Sequence, residues 1–176
     1  HFGTQNRIDF PFSNITSSAV QTRVADLNRD GLFDLLSVHE SDSTLSLYLG
    51  EGQTHIGKTL RFYPQEDTTT VEDYALADLD DDNDDDLVIL RDDGKVVVYT
   101  NDSTNHELSL AQTITLGTGN VERIGLVDWN DDNIQDLVIM TLYGYVKLFE
   151  GVSGGTFSTP STVLGLIPHP NGSGSV

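Results

Sequence analysis

An all-β chain built from repeated four-stranded units is what this sequence predicts, on three observations. Three acidic segments align without gaps: VADLNRDGLFDLLSV from Val24, LADLDDDNDDDLVIL from Leu76 and LVDWNDDNIQDLVIM from Leu126. Each is flanked by short stretches in which Val, Ile, Leu, Tyr and Thr recur at period two, cut by Gly, Asn and Asp. No window carries a helical periodicity. From the first aspartate of each segment, Asp26 to Asp78 is 52 residues and Asp78 to Asp128 is 50. A period of that length fits one blade of a β-propeller per repeat better than it fits the shorter helical repeats.

The elements follow in order. The leading piece HFGTQNRIDFPF resembles the end of the third repeat, and residues 1–16 read as the outer strand of an adjacent blade. Three four-stranded antiparallel repeats then occupy 17–66, 67–117 and 118–167. In each, a first strand (AVQTRVA, VEDYALA, VERIGLV) enters the acidic loop and a second (DLLSVHE, DLVILRD, DLVIMTL) leaves it. A third strand (TLSLYLG, KVVVYTN, YVKLFEG) follows, and a fourth lies around KTLRFYP, LSLAQTITL and GTFSTPSTV. Residues 168–176, PHPNGSGSV, read as a flexible tail. Propellers close with about four to eight blades. Three blades and a spare strand are therefore expected to belong to a larger propeller, or to one completed by another copy through the open blade edges.

Charged residues make up 21% and hydrophobic residues 37% of the 176, a globular composition. The net charge of −19 excludes nucleic acid and anionic membrane as partners, because few cations are present to meet phosphates, and it favours bound cations. The absence of cysteine removes disulfides and thiolate metal sites. No apolar run approaches the roughly 18 residues of a membrane helix, so no direct membrane insertion is expected.

The three loops share the spacing D-x-[DN]-x-D-[GN]-x-x-D. The first reads Asp26, Asn28, Asp30, Gly31, Asp34; the second Asp78, Asp80, Asp82, Asn83, Asp86; the third Asp128, Asn130, Asp132, Asn133, Asp136. Side-chain oxygens at positions one, three and five of a tight loop converge on one point. The chain then turns through a left-handed residue, for which Gly and Asn are suited. A carbonyl at position seven (Leu32, Asp84 or Ile134) and the aspartate at nine would complete a shell of hard oxygen donors, which suits Ca2+, up to three per chain. The pattern resembles the first half of an EF-hand loop, but position twelve falls on Ser37, Ile89 and Ile139 instead of a bidentate glutamate. A lone acidic turn would need no ion, whereas three in register argue for one. Asp81 and Asp85 fall between ligand positions and are expected to face solvent.

The run D-x-N-x-D-G-x-x-D-L-x-V, an alternating strand, and the ending Gly151 to Pro160 (GVSGGTFSTP) together resemble the FG-GAP and VCBS repeats. The resemblance extends to about Leu166. Asn replaces Gly in loops two and three, and repeat two lacks the G-x-F-x-x-P ending. The resemblance implies calcium-binding propeller blades of the kind found in integrin α chains, secreted lectins, bacterial surface proteins and some polysaccharide-degrading enzymes.

Sites of about millimolar affinity fill only where calcium is abundant, which favours a secreted, extracellular location. Sequons at Asn14, Asn101 and Asn171 are glycosylation candidates in the same direction. Gly151, Ser153 and Gly155 match the G-x-S-x-G elbow in letters, but between two strands they read as a turn. The five histidines show no ligand spacing, Trp129 is expected to pack between blades, and Tyr143 and Tyr145 flank a hairpin turn. The expected function is a non-catalytic, calcium-stabilised module for extracellular adhesion or assembly, with an extracellular protein or glycan as partner. The alternative is a lectin-like carbohydrate-binding module, or an accessory domain of a polysaccharide-active enzyme.

Overall fold

The computed structural model describes residues 19–27, 30–39, 45–50, 56–62, 71–102, 107–117, 121–142, 144–159 and 162–164. The expected leading strand, the tail, Asn14, Asn28, Asn171 and Tyr143 lie outside them. Among the described residues every regular element is a strand, and no helix is long and apolar enough to cross a membrane. The chain divides into two compact units, His1–Thr70 and Val71–Val176.

The first unit carries one antiparallel meander. Its strands are β1 (Ala19–Ala25), β2 (Asp34–His39), β3 (Leu45–Gly50) and β4 (Ile56–Phe62), paired in sequence order. The second unit carries two more sheets. Repeat two supplies β5 (Val71–Ala77), β6 (Asp86–Arg91), β7 (Lys95–Asp102) and β8 (Glu107–Thr115), again in order. Repeat three supplies β9 (Val121–Val127), β10 (Asp136–Thr141), β11 (Val146–Phe149) and β14 (Thr162–Leu164). A separate two-stranded hairpin joins β12 (Gly151–Val152) to β13 (Thr156–Phe157). Each first strand shifts register near its start, at Ala19/Gln21, Val71/Asp73 and Val121/Arg123, so the bulge repeats with the blade.

The hairpin corrects one expectation. GTFSTPSTV does not form the fourth strand of repeat three as a block, because its Thr156–Phe157 pairs back on Gly151–Val152 and only Thr162–Leu164 joins β11. The cause lies in Phe157, which is buried against repeat two. Gln112 on β8 pairs with it like a short piece of strand. Its Nε2 donates to the Phe157 carbonyl and its Oε1 accepts the Phe157 N–H, both at 2.8 Å.

Strand β6 is buried along its whole length and β7 from Val96 to Tyr99, as in a sheet covered on both faces. Val88, Leu90, Val96 and Val98 of repeat two meet Leu137, Ile139 and Phe149 of repeat three in the core of the second unit. Each such side chain contributes about 1.5–3 kcal/mol by leaving water. The buried Asp73 carboxylate on β5 accepts the Ile124 N–H of β9 at 3.0 Å and ties the two blades at their first strands.

Candidate metal centre

The acidic loops connect the first strand of each blade to the second, and their own carboxylates shape them. Asp26, Asp78 and Asp128 at position one accept the N–H of position six (Gly31, Asn83, Asn133), each at 2.9 Å. Asp30, Asp82 and Asp132 at position five accept the N–H of position seven (Leu32, Asp84, Ile134), each at 2.8 Å. The left-handed turn falls where Gly and Asn were expected, with φ of +84° at Gly31, +77° at Asn83 and +67° at Asn133. A second one, not expected, falls at position four, +65° at Asp81 and +60° at Asp131. Aspartate is among the non-glycine residues that tolerate this region.

The aspartate at nine does more than the sequence suggested. Asp34, Asp86 and Asp136 are buried, and both oxygens of each accept backbone hydrogen bonds. One comes from position two of the loop, Leu27, Leu79 or Trp129, at 2.8, 2.7 and 2.9 Å. The other comes from the end of the third strand, Gly50, Asn101 or Gly151, at 2.8, 2.8 and 2.7 Å. One carboxylate therefore staples loop entry to strand three in every repeat. The close approach leaves no room for a side chain. A Cβ on Gly50 would lie 2.5 Å from the Phe33 carbonyl oxygen, and one on Gly151 would collide with the equivalent oxygen of Gln135 and come 2.6 Å from Ile134 Cγ2. In repeat two the same place holds Asn101, whose Nδ2 donates to the corresponding Asp85 carbonyl at 3.3 Å and turns the collision into a bond. Gly151→Ala is accordingly expected to cost about 1–3 kcal/mol in urea unfolding, and Gly151→Asn less despite its larger side chain. A greater loss for Asn than for Ala would contradict this geometry.

Loop two gathers the expected ligands most fully. Carboxylate oxygens of Asp78, Asp80 and Asp86 lie within 4.8 Å of one another, and among the described residues no other such group of three occurs. Loops one and three carry Asn at position three, and Asn130 bonds Asp132 through Nδ2 at 2.9 Å. Two oxygens in these loops, Asp26 Oδ1 and Asp80 Oδ1, are shielded from water and accept no hydrogen bond. Burial, with the charges of Asp82 and Asp78, raises the pKa of Asp80. Burial also pushes Asp86 up to about 6, against the N–H groups of Asn101 and Leu79 and with help from Asp80 and Asp82. Crowded carboxylates with an unpartnered inward oxygen fit a divalent cation, which would favour their charged forms.

The sequence between residues 26 and 139 matches the profile of the FG-GAP-like repeat twice, at 26–89 and 78–139. The chain belongs to the FG-GAP-like repeat family. Each match spans two successive acidic loops, and the two matches share loop two. Comparison with curated proteins returns no match. Among solved structures, the chain is similar to the periplasmic gluconolactonase PpgL of Pseudomonas aeruginosa, with a TM-score of 0.61 at 12% identity. That likeness covers 85% of this chain and 40% of the gluconolactonase, and at this identity it shows the fold alone: β-propeller blades. BBS1N in complex with ARL6DN matches at a TM-score of 0.46 and 13% identity, over 89% of this chain and 57% of that one. The FG-GAP-like chain thus spans less than two thirds of either structure.

The remaining candidate residues are placed as follows. Asp81 is exposed and Asp85 half-buried, while the Asp84 side chain is buried, which its assignment through the carbonyl alone did not foresee. Trp129 is exposed rather than packed between blades, and Tyr145 is also exposed. Gly151, Ser153 and Gly155 lie in the β12–β13 hairpin, with φ of +92° at Gly154 and +76° at Gly155, where the nucleophile elbow requires a strand-to-helix turn. Asn101 is buried with its Nδ2 engaged, so the folded repeat has no room for a glycan at that atom. Sequence reasoning missed Gly50, Asn101 and Gly151 as partners of the ninth aspartate. Their constant distance from the loops, 24, 23 and 23 residues after its first aspartate, was the available signal.

Proposed function

We propose that this FG-GAP-like chain is a non-catalytic, secreted module whose blades are stabilised by calcium, one ion per acidic loop, and which serves extracellular adhesion or assembly. What supports it is the meeting of Asp78, Asp80 and Asp86 around the shielded Asp80 Oδ1. Asp78, Asp80, Asp82 and Asp86, with the Asp84 carbonyl, would hold the ion in loop two. Asp26, Asn28, Asp30, Asp34 and the Leu32 carbonyl would do so in loop one, and Asp128, Asn130, Asp132, Asp136 and the Ile134 carbonyl in loop three. The ion supplies charge neutralisation at a hairpin corner and no reaction chemistry. Weak sites of this kind fill near millimolar calcium, which supports a location outside the cell.

Trp129, the single tryptophan, sits at position two of loop three and offers a direct test. Terbium added to the metal-free protein is expected to emit on tryptophan excitation and to be displaced by calcium, and Asp128→Asn is expected to weaken that signal. Absence of sensitised emission would count against a site in loop three. A second reading, carbohydrate binding, has the open ring of Trp129 in its favour, and a glycan array separates it from the first.

A further inference from the structure

The tip of the β12–β13 hairpin of repeat three lies against loop two of repeat two. There the Gly155 N–H donates to the Leu79 carbonyl at 3.2 Å. That carbonyl belongs to the planar peptide leading into Asp80, so the bond fixes the backbone from which the position-three carboxylate projects. The Leu79 N–H donates in turn to Asp86 Oδ2 at 2.7 Å, while Asp86 Oδ1 accepts the Asn101 N–H. Gly155 also approaches the residue before Asn101. A Cβ placed on it would stand 2.7 Å from Thr100 Cγ2 and 3.6 Å from Asp80 Cβ. The hairpin tip thus sits where the two ends of the Asp86 staple meet and along one side of Asp80. Its other end is fixed on β8, through Gln112 and the buried Phe157.

We infer that the repeat-three hairpin is the outer wall of the loop-two cation site, with Gly155 as a positioning residue, so that a divalent cation in loop two and the docked hairpin strengthen each other. The inference rests on the calcium reading of loop two and adds that the site is shared between two repeats. Repeat two supplies Asp78, Asp80 and Asp86, whose oxygens meet within 4.8 Å, and repeat three holds the peptide between the first two of them. Turning that peptide re-aims Asp80 Oδ1, the shielded oxygen that accepts no hydrogen bond. Release of the hairpin frees the peptide to turn and opens the loop entry to water, where Leu79 is buried in the docked state. Both changes lower the affinity for a cation. The coupling is reciprocal: the factor by which the docked hairpin raises cation affinity is the factor by which the cation favours docking. Loop two therefore fastens repeat three to repeat two, besides closing its own hairpin corner.

Hydrogen exchange at the Gly155 amide of the full chain tests this, in chelator and in millimolar calcium. The amide is expected to gain about tenfold or more in protection with calcium. Most of that gain is expected to vanish in Asp80→Ala, which leaves loops one and three able to bind. Gly155→Val gives the reciprocal reading, because a β-branched residue does not hold the φ of +76° found here and would meet Thr100. With loops one and three silenced by Asp26→Asn and Asp128→Asn, calcium titration is expected to give an affinity of loop two about tenfold lower once Gly155→Val is added. Should Gly155→Val not fold, the exchange measurement on the wild type decides alone. Calcium uptake by loop two with Gly155 protection unchanged overturns the inference and leaves the calcium reading standing. So does a folded Gly155→Val whose loop-two affinity is intact. No uptake by loop two overturns both.

Discussion

Removing calcium is expected to lower the melting temperature of this chain by roughly 10 °C. A site whose dissociation constant lies about tenfold below ambient calcium contributes about 1.4 kcal/mol of stability by linkage. Three such loops add about 4 kcal/mol, a large share of the roughly 5–15 kcal/mol that holds a domain together. At this chain length each kcal/mol moves the midpoint by about 2–4 °C. The source of the effect is the repulsion the loops carry without an ion, since Asp78, Asp80 and Asp86 bring their oxygens within 4.8 Å. Thermal melts with and without chelator, at constant ionic strength, measure the shift. Magnesium is expected to restore less of it than calcium, because it demands tighter octahedral geometry than a flexible loop offers.

The second large effect separates the scaffold of the loops from their ligands. Asp136 is fully buried and uses both oxygens as acceptors, from Trp129 and Gly151. Asp136→Asn keeps the shape but turns one acceptor into a donor, so one buried N–H faces an NH2 group and both go unsatisfied. The expected cost is about 2–4 kcal/mol in urea unfolding of the metal-free protein. Asp132→Asn is the contrast. Asp132 is exposed; it accepts the Ile134 N–H through Oδ1, which the amide oxygen of Asn can still do, and the exposed Asn130 amide that donates to its Oδ2 can turn to water instead. Its stability without metal is expected to stay within about 0.5 kcal/mol of wild type, while its calcium affinity falls. Equal losses for the two variants in chelator would show that the ninth aspartate is no staple.

The strand order and the position of the loops were legible because period-two alternation and a repeat near 50 residues constrain each other. Three copies of a pattern fix register where one would leave it open. The left-handed residue at position six was legible for a similar reason, since Gly31, Asn83 and Asn133 are the residue types that the conformation favours. Position four was not, because aspartate there looks like one more charge. The double role of Asp34, Asp86 and Asp136 stayed hidden because its partners are backbone N–H groups, which leave no trace in side-chain composition. The β12–β13 hairpin was misassigned for a tertiary reason: Thr156 and Phe157 alternate like a strand, but Gln112 of the preceding repeat claims the N–H and carbonyl of Phe157. The exposure of Trp129 was likewise unreadable, because an aromatic at a blade face is buried only when a further blade covers it.

Direct calcium titration of the metal-free chain, by calorimetry or equilibrium dialysis, tests the central claim most closely. Filling of all three loops, Asp26 to Asp34, Asp78 to Asp86 and Asp128 to Asp136, is predicted at or below about 1 mM free calcium, with Asp80→Ala removing the ion from loop two alone. No binding at that concentration, or binding that survives loss of the position-one aspartates Asp26, Asp78 and Asp128, would contradict it.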